Sequence, residues 1–168
     1  KADELYHIQQ LQKEVENFNA SNKWYKKGIA MMPICFGISF TKTFMNQARS
    51  LVHVYTDGSV GISTAAVEMG QGVNTKVLQV AVQIFSIDPS KVKVNTTNTY
   101  RIANTSPTAA SAAADLNGKA TALACEAILQ RMKQVAAEEL KVSADAVEIK
   151  DEFIYVNGKN TDLGWEKL

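Results

Sequence analysis

The chain has 168 residues, 46% of them hydrophobic and 21% charged, and eighteen Lys and Arg against seventeen Asp and Glu leave a net charge of +1. That length suits a single domain with a full core, and the charge balance excludes a disordered tail or a nucleic-acid binder held by bulk positive charge. Two cysteines, Cys35 and Cys125, and two histidines, His7 and His53, are too few and too scattered for a disulfide framework or a metal site made wholly of protein ligands.

Leu5, Ile8, Leu11, Val15 and Phe18 recur every three or four residues and predict one amphipathic helix, ended by Asn19-Ala20-Ser21-Asn22. Residues 28–41 are rich in Ile, Met and Phe but are broken by Pro33 and Gly37, which predicts strand, bend, strand. Two β-rich runs, 51–55 and 60–64, flank Asp57-Gly58 and predict a hairpin, because Gly tolerates the positive φ of a tight turn. A loop with two nearby glycines follows at 66–72. Val73, Val77, Val80, Ala81 and Ile84 then have helical spacing, stopped near Asp88-Pro89, and 92–96 is a short strand.

After a polar loop at 97–105, Ser106-Pro107 predicts a helix start, with Ser as N-cap and Pro at the first helical position. This helix should run from Pro107 toward Leu140 and turn Leu116, Ala120, Leu123, Ala127 and Ile128 inward. Val147-Glu148-Ile149 and Phe153-Ile154-Tyr155-Val156, closed by Asn157-Gly158, predict a final small hairpin. The order predicts an α+β fold, a mixed sheet and hairpins packed with long helices, in one domain over 1–168 with a small variable hairpin at 142–160. The longest near-apolar run, 29–40, is too short to span a bilayer. The start, Lys1-Ala2-Asp3-Glu4, carries neither an initiator Met nor a signal peptide, so a piece of a longer cytoplasmic protein is expected.

Two segments could carry chemistry as helix starts: Gly70-Gln71-Gly72, and Ser106-Pro107-Thr108-Ala109-Ala110-Ser111. A helix start leaves unpaired N–H groups at the positive end of a dipole, which suits phosphates and other anions. Glycines let the backbone approach a ligand, and Gln71 adds both a donor and an acceptor. Hydroxyls at Ser106, Thr108 and Ser111 suit an oxygen-rich ligand, and Ala109 and Ala110 leave room beside it. A plain Gly turn and a capped, tightly packed helix explain the same patterns. Glu68 could serve as an acid or base, or be a solvated loop carboxylate. No nucleophile-plus-base arrangement stands out.

Taken together, Lys27-Gly28-Ile29-Ala30-Met31-Met32-Pro33 leading into Phe36-Gly37-Ile38-Ser39-Phe40-Thr41, then 53–60, then Glu68-Met69-Gly70-Gln71-Gly72, then Asn104-Thr105 and the 106–111 motif, form an ordered set. In that order they resemble the molybdopterin-binding domain of the xanthine dehydrogenase and aldehyde oxidase family, over nearly the whole chain up to the long helix. The resemblance implies a molybdenum hydroxylase acting on a purine or related N-heterocycle. Its molybdenum is carried by molybdopterin, and its iron–sulfur clusters and FAD sit on partner domains or subunits. It implies substrate contacts at Phe40 and Thr41 and cofactor contacts at Gly70, Gln71, Gly72, Ala109, Ala110 and Ser111, with the Ala110 backbone beside the metal.

No catalytic residue is implied within the chain, since the family's glutamate base lies in a later motif. The piece alone should be inactive and hold no cofactor. Expected partners are the remaining molybdopterin-binding domain, the iron–sulfur and FAD domains, a small-molecule substrate and a second copy in a homo-oligomer, with neither nucleic acid nor membrane. Ala65-Ala66-Val67 stands where many relatives have Gly-Gly-Thr, so a stiffer loop is expected. Ala112-Ala113-Ala114 stands where some have more polar residues that help hold the cofactor. A non-catalytic α+β ligand-binding or subunit-interaction domain is the alternative.

Overall fold

A computed structural model describes residues 1–35, 37–102 and 105–168, so Phe36 and Asn104 of the motifs above lie outside the described residues. The chain divides into two compact units, Lys1–Gly37 and Ile38–Leu168.

In the first unit the single expected helix is two: α1 (Ala2–Tyr6) and α2 (Ile8–Ser21). His7 breaks them with a left-handed φ of 50°, its N–H donating to the Asp3 carbonyl at 2.8 Å and its own carbonyl accepting from Leu11. The Asp3 carboxylate then accepts from the Gln9 N–H at 2.9 Å, so the break is filled by local hydrogen bonds. Asn19 clasps the chain beyond α2, donating to the Lys27 carbonyl at 2.9 Å and accepting from the Lys27 N–H at 2.8 Å. The expected strand, bend, strand does not form: no described residue of 28–41 is in a strand. Ile, Met and Phe supply strand propensity there, but a strand also needs a partner for its backbone groups.

The second unit is built on β1 (Ser50–Val54), β2 (Val60–Thr64), α3 (Val73–Phe85) and β3 (Val92–Val94). β1 and β2 form the expected antiparallel hairpin, whereas β2 and β3 pair in parallel across α3. A parallel pair needs such a crossover, and both faces around it must be covered. β2 is accordingly buried along its whole length. Val73, Val77, Ala81 and Phe85, four residues apart, bury one stripe of α3.

The long helix α4 (Ala113–Leu140) packs along α3, but it begins six residues later than Ser106-Pro107 suggests. The Ser106 hydroxyl donates to the Met45 carbonyl instead of capping a helix, and Ala110 and Ser111 are left-handed at φ 53° and 52°. Tertiary hydrogen bonds override the local capping signal there. The inward face also differs from the expected one. Asn117, Gly118, Thr121, Cys125, Ala136 and Ala137 are buried, while Leu123 and Ala127 face out. Small residues let the helix axes approach, as at Gly118, where an added Cβ would lie 3.8 Å from Val80 Cγ2.

The C-terminal hairpin is a three-stranded antiparallel sheet: β4 (Val147–Lys150), β5 (Phe153–Val156) and β6 (Lys159–Gly164). β6 was not expected, because Lys159-Asn160-Thr161-Asp162 carries no apolar alternation. Trp165, 2% exposed, follows it into the core. Its indole N–H donates to the Gly58 carbonyl at 2.8 Å, and its ring lies 5.2 Å from that of Phe85.

Candidate functional site

Parallel β2 and β3 point their carboxyl ends the same way, and α3 and α4 both begin near that end. Ligands of open α/β units gather at such crevices, where loops leave the strands and helix N-termini approach. Two loops leave the site's walls here, 65–72 after β2 and 105–112 before α4.

The first loop closes on itself. One oxygen of the Glu68 carboxylate accepts from the Gly70 and Gly72 N–H groups, each at 2.9 Å, and the other accepts from Asn74 at 3.1 Å. These donors, Asn74 foremost, hold the Glu68 pKa below the ordinary carboxylate value. Glu68 is thus an exposed loop carboxylate, as the plain reading of the sequence has it, and it caps the start of α3 rather than standing as a poised base. It also fills the anion position that the Gly70-Gln71-Gly72 helix start offers in the sequence. Gly72 is left-handed at φ 77°, as a turn into the helix demands. Gln71 braces the same loop: its amide oxygen accepts from the Met69 N–H at 2.6 Å, and its amide nitrogen donates to the Val67 carbonyl at 2.8 Å.

The second loop takes its shape from its neighbours. The Thr108 hydroxyl oxygen accepts from the Val67 N–H at 2.9 Å, joining the two loops across 41 residues of chain. The Ala110 carbonyl accepts from the Ser39 N–H at 2.7 Å. Thr97, after β3, gives its hydroxyl to the Thr64 and Ala66 carbonyls at 2.9 and 2.7 Å and pins the base of the first loop. Two consecutive left-handed residues other than Gly, Ala110 and Ser111, store backbone strain of the order of 1–3 kcal/mol each, and such strain gathers at ligand sites.

Between the loops lies a cavity of about 420 Å³, within the range of small-molecule sites. Met69 and Gln71 line it from the first loop, Val73 and Lys76 from α3, Thr108, Ala109 and Ser111 from the second loop, and Ala113 and Ala114 from α4. The structure therefore brings Gln71, Ala109 and Ser111 of the expected site to one space. Gly70, Gly72 and Ala110 are not among its lining residues; the two glycines flank Gln71 in the first loop, and Ala110 lies between Ala109 and Ser111 in the second. Phe40 and Thr41 are not among its lining residues; they sit on the strip that reaches the second loop through Ser39. Asn46 fixes Phe40 by accepting from its N–H and donating to its carbonyl, both at 2.9 Å.

Val73 and Lys76 are not singled out as site residues in the sequence, and Met69, Ala113 and Ala114 enter it only as parts of the motifs. Lys76 had a readable signal, since four residues after Gly72 is one helical turn into α3. Among the described residues no group of His, Cys, Asp and Glu could hold a metal ion. Cys125 lies on the buried face of α4, and burial pushes its thiol up to about 12, so it is no nucleophile.

The family model for the molybdopterin cofactor-binding domain matches residues 1–168. Xanthine dehydrogenase 1 of Arabidopsis thaliana is 54% identical over 126 residues, which cover 75% of this chain and 9% of that protein. Xanthine dehydrogenase/oxidase of Gallus gallus is 49% identical over 138 residues, 82% of this chain and 10% of that protein. The chain thus spans about a tenth of the length of these curated relatives. Among solved structures, quinoline 2-oxidoreductase from Pseudomonas putida 86 shares the fold at a TM-score of 0.65, with 21% identity over 71% of this chain and 15% of that one. Reconstituted CO dehydrogenase from Oligotropha carboxidovorans does so at 0.66, with 21% identity over 72% of this chain and 15% of that one.

Proposed function

The chain belongs to the molybdopterin cofactor-binding domain family, and from that premise we propose that the cavity between its two loops holds the pterin of a molybdenum cofactor in a xanthine dehydrogenase-like hydroxylase. The observation that carries this reading is the convergence of the two loops, 41 residues apart, on one cavity with an amide, two hydroxyls and short methyl walls. That lining fits the group. A pterin edge alternates donors and acceptors, and a metal held by the cofactor's own sulfurs needs no protein cage.

When bound, the cofactor supplies the molybdenum chemistry that hydroxylates an electron-poor carbon beside a ring nitrogen. The chain's own residues bind and orient it. Gln71, though it braces its loop, keeps one amide N–H and one lone pair for a pterin edge. The Thr108 oxygen accepts from Val67, which leaves its proton to donate, and Ser111 adds a second hydroxyl. Ala109, Ala113 and Ala114 exclude water without filling the space. With the cofactor bound, the Ala110 backbone would stand beside the metal, and Phe40 and Thr41 would meet the substrate ring from the neighbouring strip.

Proton removal falls to a group outside this chain. Glu68, the one carboxylate in the two loops, has both oxygens committed to backbone N–H groups and a depressed pKa that makes it a poor base. The chain then acts as one wall of a larger site, over 1–168 with its small sheet near 142–160 as an appendage. The remaining molybdopterin-binding domain and the iron–sulfur and FAD domains or subunits complete a homo-oligomeric enzyme. A purine or related heterocycle is the substrate, and the cytoplasm its location. No described helix is long and apolar enough to cross a membrane.

Gln71→Ala in the full-length polypeptide tests the reading. It should lower molybdenum content several-fold, as expected for losing one or two hydrogen bonds of about 0.5–1.5 kcal/mol each, and leave turnover per bound molybdenum nearly unchanged. Full molybdenum with a lost rate per metal would move Gln71 from cofactor holding to the chemistry.

A further inference from the structure

The charge of the cavity is one-sided. Lys76 is the only charged side chain among its lining residues, and it makes no ion pair among the described residues. It stands one turn into α3, its backbone N–H donating to the Gly72 carbonyl at 3.2 Å. The Glu68 carboxylate is not among the lining residues and forms no ion pair with Lys76 among the described residues; its oxygens accept from Gly70, Gly72 and Asn74. Thr108 has its hydroxyl proton left to give, and the Ser111 hydroxyl has no partner among the described residues. An ammonium and two hydroxyl donors around one space, with no carboxylate among them, suit a ligand with several oxyanion atoms.

The geometry points to Lys76 as the residue that holds a phosphate of the bound cofactor, with the Thr108 and Ser111 hydroxyls donating to the same oxyanion. The assignment rests on the reading that this cavity takes the cofactor. Two sources share the chemistry: the phosphate monoester of the pterin alone, and the pyrophosphate of a nucleotide-extended form. The helix N-terminus plays no part, because Glu68 already occupies it.

The test measures pterin and phosphate retained per full-length polypeptide after gel filtration at low and high potassium sulfate. Lys76→Ala, Lys76→Arg and the exposed-strand control Lys93→Ala are compared with the parent, each checked by its melting temperature. Lys76→Ala should retain about tenfold less pterin, the scale of one charge-assisted hydrogen bond. Its retention should no longer depend on sulfate, whereas Lys76→Arg should recover most of it and Lys93→Ala should match the parent. Competition with inorganic phosphate and inorganic pyrophosphate separates the sources. Comparable displacement by the two marks the monoester, and much stronger displacement by pyrophosphate marks the extended form.

Parent-like retention and sulfate sensitivity in Lys76→Ala, with retention still lowered in Gln71→Ala, would overturn the Lys76 assignment and leave the cavity reading standing. Unchanged retention in both variants would overturn the cavity reading and the assignment with it.

Discussion

The β2–α3–β3 unit has two ends, and they are built on different terms. Where β2 and β3 begin, Trp165 and Phe85 are fully packed, and the indole N–H is satisfied by Gly58. Lys91 there bridges Glu152 at 2.9 Å and Glu166 at 2.6 Å. Where the strands end, two loops carry left-handed Ala110 and Ser111, a Ser111 hydroxyl without a partner among the described residues, and a cavity in place of a core. One end holds the fold together, and the other carries strain and open space, which the proposed cofactor would fill. Substitutions should therefore separate cleanly: at the first end they change unfolding, at the second they change loading.

The largest stability loss is expected for Trp165→Ala, about 3–5 kcal/mol by the scale of buried aromatic truncations, read as a lowered urea midpoint. Gly58→Ala should follow at about 2 kcal/mol or more, since its φ suits Gly and a rigid neighbour blocks relief. Its φ is +78°, and a Cβ there would meet Glu166 Cγ at 2.8 Å and Trp165 Cδ1 at 3.0 Å. The Glu166 side chain can move aside, but the buried indole cannot. Equal losses from substitutions in the cavity loops would break the comparison.

Thr108→Val at the cavity end should cost only about 0.5–1.5 kcal/mol, because one neutral hydrogen bond is lost and exposed Val67 regains water. Its larger effect should be on pterin retention. The smallest effect is the pH response of the first loop. Glu68 has a folded pKa below its unfolded value, so its contribution is full above the ordinary carboxylate range. It is lost as pH falls through the depressed folded value. The amide NMR shifts of Gly70, Gly72 and Asn74 should move together in that acidic window. Movement near neutral pH instead would contradict the capping role.

The same contrast decides what could be read in the sequence. The hairpin around Asp57-Gly58, the stripe of α3, β3 and the body of α4 follow from period and turn chemistry, which are local. The 28–41 segment had the composition of strands without a partner strand, and β6 had a partner without the composition. Ser106-Pro107 looked like a helix start, but the Met45 carbonyl takes the hydroxyl and Ser39 holds Ala110, so the helix waits until Ala113. Both cavity loops were legible as motifs. That they face one another was not, since it depends on Thr108 and Thr97 reaching the first loop, and Lys76 enters the site only through α3.

Ala110→Leu in the full-length polypeptide tests the central claim most directly, with molybdenum per polypeptide and melting temperature measured on the same sample. The bulkier side chain sits on the strained loop between two cavity-lining residues, Ala109 and Ser111. The account predicts a loss of molybdenum of about tenfold or more, since overpacking costs typically 1–3 kcal/mol, with a melting temperature close to the parent's. Full molybdenum content at an unchanged melting temperature would contradict it.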